Sequence, residues 1–126
     1  MTETIRFRSD TRLRKQLMVP EAMAHPAKGH LGMWQECILR YSKEGDTILD
    51  PMAGVGSTLL AVLMGRNVVT VELEQWMVDI MMKSWEKMRM HPMLGCEMGN
   101  VIILQGDARS LSKLLAEEGW CECFTK

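Results

Sequence analysis

Little in these 126 residues points to a membrane, a disulfide framework or a polyanion-binding surface covering the whole chain. No apolar run approaches the ~20 residues of a spanning helix, and the N-terminus lacks the apolar core of a secretory signal. A cytoplasmic location with no membrane partner is therefore expected. The four cysteines, Cys37, Cys96, Cys121 and Cys123, do not form two pairs at zinc spacing. Cys121-Glu-Cys123 is the one close pair, and the expectation is free, partly buried thiols with no metal site. A net charge of −1 excludes a polycation seeking nucleic acid with its entire surface.

What is present is unevenly spread. Arg6, Arg8, Arg12, Arg14 and Lys15 face only Glu3 and Asp10 in the first fifteen residues. Residues 1–24 are expected to form an N-terminal arm, a solvated and poorly ordered tail with at most a short helix. Contact with nucleic-acid phosphate is the alternative use of those charges. Thirteen methionines read as adaptable apolar packing.

From residue 25 the patterning changes. A loop over 25–32 leads to a helix over Met33–Tyr41, a turn over 42–46 and a short strand over Thr47–Leu49. Ser57–Met64 reads as a helix stopped by Gly65, and Asn67–Val71 as a buried, β-branched strand. Gln75–Met90 is a helix whose Met77, Met81, Trp85 and Met88 form one apolar stripe. Val101–Leu104 is a third strand and Leu111–Glu118 a last helix. Alternation of this kind predicts an α/β fold with a parallel sheet and right-handed crossovers, and a ligand site at the carboxyl ends of its strands.

An acid stands at each of those ends: Asp50, Glu72 and Asp107. After the first comes Asp50-Pro51-Met52-Ala53-Gly54-Val55-Gly56-Ser57-Thr58. A phosphate-gripping P-loop needs a Gly-Lys-Ser/Thr triplet, and no lysine is here. A dinucleotide fingerprint needs a third glycine where Leu59 stands, and Asp50 would repel a pyrophosphate. A nucleoside with positive charge and no phosphate remains, and S-adenosylmethionine meets that description. Asp50 can face its methionine end while Gly54 and Gly56 let the backbone pass close. Glu72 can accept both ribose hydroxyls, and Asp107 can accept from the adenine amino group. The plainer alternative is that the glycines only shape a turn and the acids cap helices.

The stretch LDPMAGVGSTLLAVLMGRNVVTVELE resembles the cofactor-binding half of the amino-group DNA methyltransferases, which methylate N6 of adenine or N4 of cytosine. The matching residues are Asp50, Pro51, Gly54, Gly56, Thr58, Gly65, Arg66 and Glu72. His25, Pro26, Ala27 and Lys28 resemble a second element that, in many members, closes over the methionine end of the cofactor. Gly29-His30 stands where many members place an aromatic residue. The resemblance spans residues 25 to about 110. It implies a Rossmann-like parallel sheet of the S-adenosylmethionine methyltransferase type, here incomplete, with about three strands and flanking helices. Residues 25–126 would then be a partial methyltransferase domain. The residues expected to hold S-adenosylmethionine are Lys28, Asp50, Pro51, Met52, Ala53, Gly54, Gly56, Thr58, Glu72, Leu73, Asp107 and Ala108.

The implied activity is methyl transfer to an exocyclic amino group of a DNA base, with DNA as partner, in the manner of restriction–modification enzymes. The family's catalytic tetrad, Asp/Asn/Ser-Pro-Pro-aromatic, is absent: the prolines are Pro20, Pro26, Pro51 and Pro92, and no two are adjacent. The expectation is therefore a truncated product, or half of an enzyme whose catalytic half is a separate chain, binding its cofactor weakly or only with that partner. Alone it is expected to be inactive, with no catalytic residue of its own. A non-catalytic cofactor-binding or interaction module, docking through an unpaired sheet edge, is the reading from another class. A fragment of an RNA methyltransferase is the third.

Overall fold

A computed structural model describes residues 3–23 and 29–119. Three parallel strands lie side by side in chain order: β1 (Thr47–Asp50), β2 (Asn67–Glu72) and β3 (Val101–Gln105). Thr47 pairs with Asn67 and Asp50 with Thr70, while Val68 pairs with Val101 and Glu72 with Gln105. The β-branched run Val68-Val69-Thr70-Val71 forms the central strand and is buried throughout, as both neighbours and the packed helices require. Among the described residues no strand pairs with the outer edge of β1 or of β3.

Among the described residues six helices accompany the sheet: α1 (Thr11–Leu17), α2 (Pro20–Met23), α3 (Leu31–Tyr41), α4 (Leu60–Leu63), α5 (Gln75–Met88) and α6 (Leu111–Glu117). Ser57–Leu59, expected as α-helix, is instead a 3-10 turn leading into α4. Every residue from Leu59 to Met64 is buried. Apolar on all sides, this segment has no polar face to offer water, so it sits at the centre of the core. Gly65, at φ 85°, ends it. Arg66 is buried beside that turn, giving Nε to Ser42 Oγ at 2.9 Å and Nη1 to the Met64 carbonyl at 2.7 Å. The Gly65-Arg66 pair thus ties the turn after α3 to the end of α4.

One expectation is corrected. From α1 onward the arm is not a solvated tail. Leu17, Met18 and Ala22 belong to the main core, and the Arg14 side chain is only 2% exposed. Val19 N donates to Ser84 Oγ of α5 at 3.2 Å, and Lys87 Nζ donates to the carbonyls of Lys15 and Met18. The density of arginines disguised an apolar face made by Leu13, Leu17 and Met18. The stripe of α5 lies where expected: Met81 and Met88 are buried and Trp85 packs on the core, with Val78 and Ser84 buried beside them and Met77, at the edge, turned toward a cleft. The Cys121–Cys123 pair lies outside the described residues.

Candidate cofactor cleft

The site begins with the turn after β1. Ala53 N donates to the Val71 carbonyl at 3.0 Å, and Gly56 N donates back to the Ala53 carbonyl at 3.0 Å, which folds the chain tightly over the end of β2. Gly54 and Gly56 have φ of 58° and 93°, in the left-handed region that side chains with a Cβ avoid. Their surroundings differ. A Cβ on Gly56 would fall 2.6 Å from Met81 Cγ, whereas one on Gly54 would meet nothing within 4 Å. Gly56 therefore allows α5 to approach the turn, and Gly54 borders open space.

The carboxylates are held by this turn. Asp50 Oδ2 accepts from Thr58 Oγ1 at 2.5 Å and Oδ1 from Met52 N at 3.2 Å. Glu72, 8% exposed, accepts from Gly54 N at 3.1 Å through Oε2. The two acids at the ends of adjacent strands thus grip opposite sides of the same glycine turn. Asp50, Pro51, Met52, Ala53, Gly54, Thr58 and Glu72 line one cleft of about 500 Å³. That volume suits a nucleoside-sized ligand. Gly56 is not among the lining residues; its part is to seat the turn against Met81.

A second cleft, of about 320 Å³, shares Pro51, Met52 and Glu72 with the first and extends to Leu73, Asp107 and Ala108. Together they make a groove across the ends of all three strands. Asp107 is already engaged. Its Oδ1 accepts from Arg109 N at 2.8 Å, and Arg109 Nη2 donates to Oδ2 at 2.6 Å. Those hydrogen bonds from Arg109 hold the Asp107 carboxyl at about 2, below its ordinary value. Lys28 lies outside the described residues.

Sequence reasoning missed several wall residues. Trp34 of α3, Ser57 and Met77 border the first cleft, and Glu74 and Arg109 the second. The Trp34 indole N–H is buried against this wall and finds no acceptor among the described residues. Only Arg109 left a legible signal, a cation two residues after an acid. Ser57 is braced from outside the sheet: Arg14 Nη1 donates to its Oγ at 3.3 Å, and Arg14 Nη2 donates to the carbonyl of Gly29. Asp10 Oδ2 completes the brace, accepting from Arg14 Nη2 at 3.1 Å and from Leu31 N at 2.9 Å. Partial burial works against the charged carboxyl of Asp10. The Leu31 N–H and the Arg14 guanidinium outweigh it and hold the group below its ordinary value.

No lysine or arginine lines the first cleft among the described residues. Two carboxylates and no cation on the described walls make this part of the cleft negative, which favours positive charge on a ligand and disfavours a phosphate there.

Comparison with known proteins gives the family and the fold. Over 70 residues the chain is 33% identical to the Type II methyltransferase M.HinfI of Haemophilus influenzae, a match that takes in 55% of this chain and 20% of that protein. A crystal structure of a candidate methyltransferase from Porphyromonas gingivalis W83 matches 85% of this chain at a TM-score of 0.53 and 17% identity. It shares the fold, and the matched part is 27% of its chain. The chain thus spans about a fifth to a quarter of the length of these relatives. The DNA methylase family of N6 and N4 methyltransferases matches residues 5–83, and the chain belongs to that family.

Proposed function

We propose that the groove binds S-adenosylmethionine and that this chain is the donor-holding part of a DNA amino-methyltransferase. The observation that carries the reading is the opening of Asp50 and Glu72 into one cleft with no basic side chain on its described walls. The donor set fits the cofactor. Asp50 faces its cationic methionine end, and the open space beside Gly54 admits the ligand close to backbone. Glu72 takes the ribose hydroxyls, and Leu73, Asp107 and Ala108 flank the adenine. Lys28 is assigned to the methionine end by family resemblance. Bound there, the cofactor supplies an electrophilic methyl group; the residues of this chain bind it, orient it and keep phosphate-bearing nucleotides out.

Methyl transfer also requires the acceptor nitrogen to be held in line with the methyl group, and positioning is a large part of what an enzyme contributes. No adjacent proline pair exists in this sequence to hold a base. The acceptor half is therefore supplied by other polypeptide, in the same or a separate chain, for which the edges of β1 and β3, unpaired among the described residues, are the places to add a strand. Calorimetric titration of the purified chain with S-adenosylhomocysteine tests the cofactor assignment. Saturable heat at one site, with none from ATP, is expected. Absence of heat, both alone and with a polypeptide carrying the Pro-Pro-aromatic tetrad, would remove the assignment. Transfer of labelled methyl to duplex DNA by this chain alone would remove the division of labour.

A further inference from the structure

We propose that residues 5–15 form a docking strip for the phosphate backbone of duplex DNA, with Arg6, Arg8, Arg12 and Lys15 as the phosphate-contacting groups. This rests on the DNA-methylase reading and adds to it a surface that neither the cleft nor the family resemblance supplies.

Two independent observations carry it. First, the strip is fixed in place beside the cleft. Glu3 pairs with Arg40 near the end of α3 at 3.2 Å. Phe7 and His30 rings lie 5.4 Å apart, and the Arg8 carbonyl is 2.9 Å from His30 Nε2. Asp10 and Arg14 then fasten the strip to Leu31 and to Ser57, a residue of the cleft wall. An arm with this many anchors presents charge on a defined surface.

Second, the charges on it are free. Arg6, Arg8, Arg12 and Lys15 are exposed, and none forms an ion pair among the described residues. Every other arginine is engaged: Arg14 with Asp10, Arg40 with Glu36, Arg66 with backbone carbonyls, Arg89 with Glu86 and Arg109 with Asp107. The two acids of the arm are themselves consumed, Glu3 by Arg40 and Asp10 by Arg14. Four unpaired cations on one strip of a chain with net charge −1 are a local excess. Guanidinium forks match the paired oxygens of a phosphate. Such contacts set orientation on a duplex without reading its sequence, which is what a donor cleft beside the strip requires: the target base must be brought to it.

The test uses the full chain and its Arg6→Gln/Arg8→Gln/Arg12→Gln/Lys15→Gln variant, with fluorescence anisotropy on a labelled duplex across a salt series. Wild type is expected to bind with a steep salt dependence. Each lost phosphate contact lowers the slope of log affinity against log salt by about 0.9. The variant should therefore lose about 3 to 4 units of slope and bind more than about tenfold weaker at low salt. S-Adenosylhomocysteine binding, followed by calorimetry on both proteins, should be equal, because none of the four side chains lines the cleft. An unchanged slope, or no duplex binding by wild type, overturns the proposal. So does binding to phosphatidylserine vesicles in place of DNA, which would make the strip a membrane contact. Failure of wild type to bind S-adenosylhomocysteine sinks the cofactor assignment alone and leaves the anisotropy result to be read.

Discussion

Gly54 and Gly56 stand two residues apart in one turn and should respond differently to the same substitution. Gly56→Ala forces a Cβ to 2.6 Å from Met81 Cγ and 3.1 Å from Leu59 Cδ1, in a backbone at φ 93°. The left-handed conformation costs about 1–2 kcal/mol for an L-residue. Overpacking a filled core adds about 1–3 kcal/mol. Met81 is fully buried and has little room to yield, so a total of about 2–5 kcal/mol is expected. That is a large share of the ~5–15 kcal/mol that holds a domain together. Gly54→Ala has φ 58° and no atom within 4 Å, so only the conformational term applies, about 1–2 kcal/mol. Its methyl group, however, projects into open space at the cleft and should weaken S-adenosylhomocysteine binding at least tenfold. Urea denaturation of both variants, with calorimetric titration of the folded ones, separates the two roles. Equal destabilisation by both substitutions, or unimpaired ligand binding by Gly54→Ala, would refute the assignment of one glycine to packing and the other to the ligand.

Glu72→Gln keeps an acceptor for Gly54 N but removes the charge offered to the ribose; loss of a charge-assisted hydrogen bond, worth about 1.5–3 kcal/mol, should weaken S-adenosylhomocysteine roughly 10- to 100-fold by calorimetry while leaving the melting curve nearly unchanged. Arg109→Ala should return the Asp107 carboxyl from about 2 toward its ordinary value of 3.8. Because the folded value is the depressed one, the Asp107–Arg109 contact is present above the ordinary carboxylate range and is lost as pH falls through about 2, and a carboxyl-carbon NMR titration that finds no difference between wild type and variant would contradict the pairing.

The sheet was legible because its signals are local. A β-branched run, an Asp-Pro stop and glycines at each reversal mark the strands within a residue or so, and the three acids follow at their ends. The resemblance to amino-group DNA methyltransferases rested on the same stretch, and family membership bears it out. What escaped depends on partners distant in the chain. Nothing near Arg14 announces that it will be buried against Ser57, and the surrounding charges argued for solvent. The centre of the α5 face, Met81 and Met88, was legible from spacing, whereas the burial of the polar Ser84 at its border depends on Val19, 65 positions away. Asp107 was assigned to the adenine without account of Arg109, whose hold on it any ligand amine must displace or share.

The bond from Arg14 to Ser57 spans 43 positions of chain. Closing so long a span costs only logarithmically more entropy than closing a short one, yet it makes the glycine turn answer to a helix that contributes no strand to the sheet. Melting of α1 would release Ser57, the Gly29 carbonyl and the start of α3 at the same moment. α1 and the glycine turn thus stand or fall together, and whatever loosens that helix loosens one wall of the cleft.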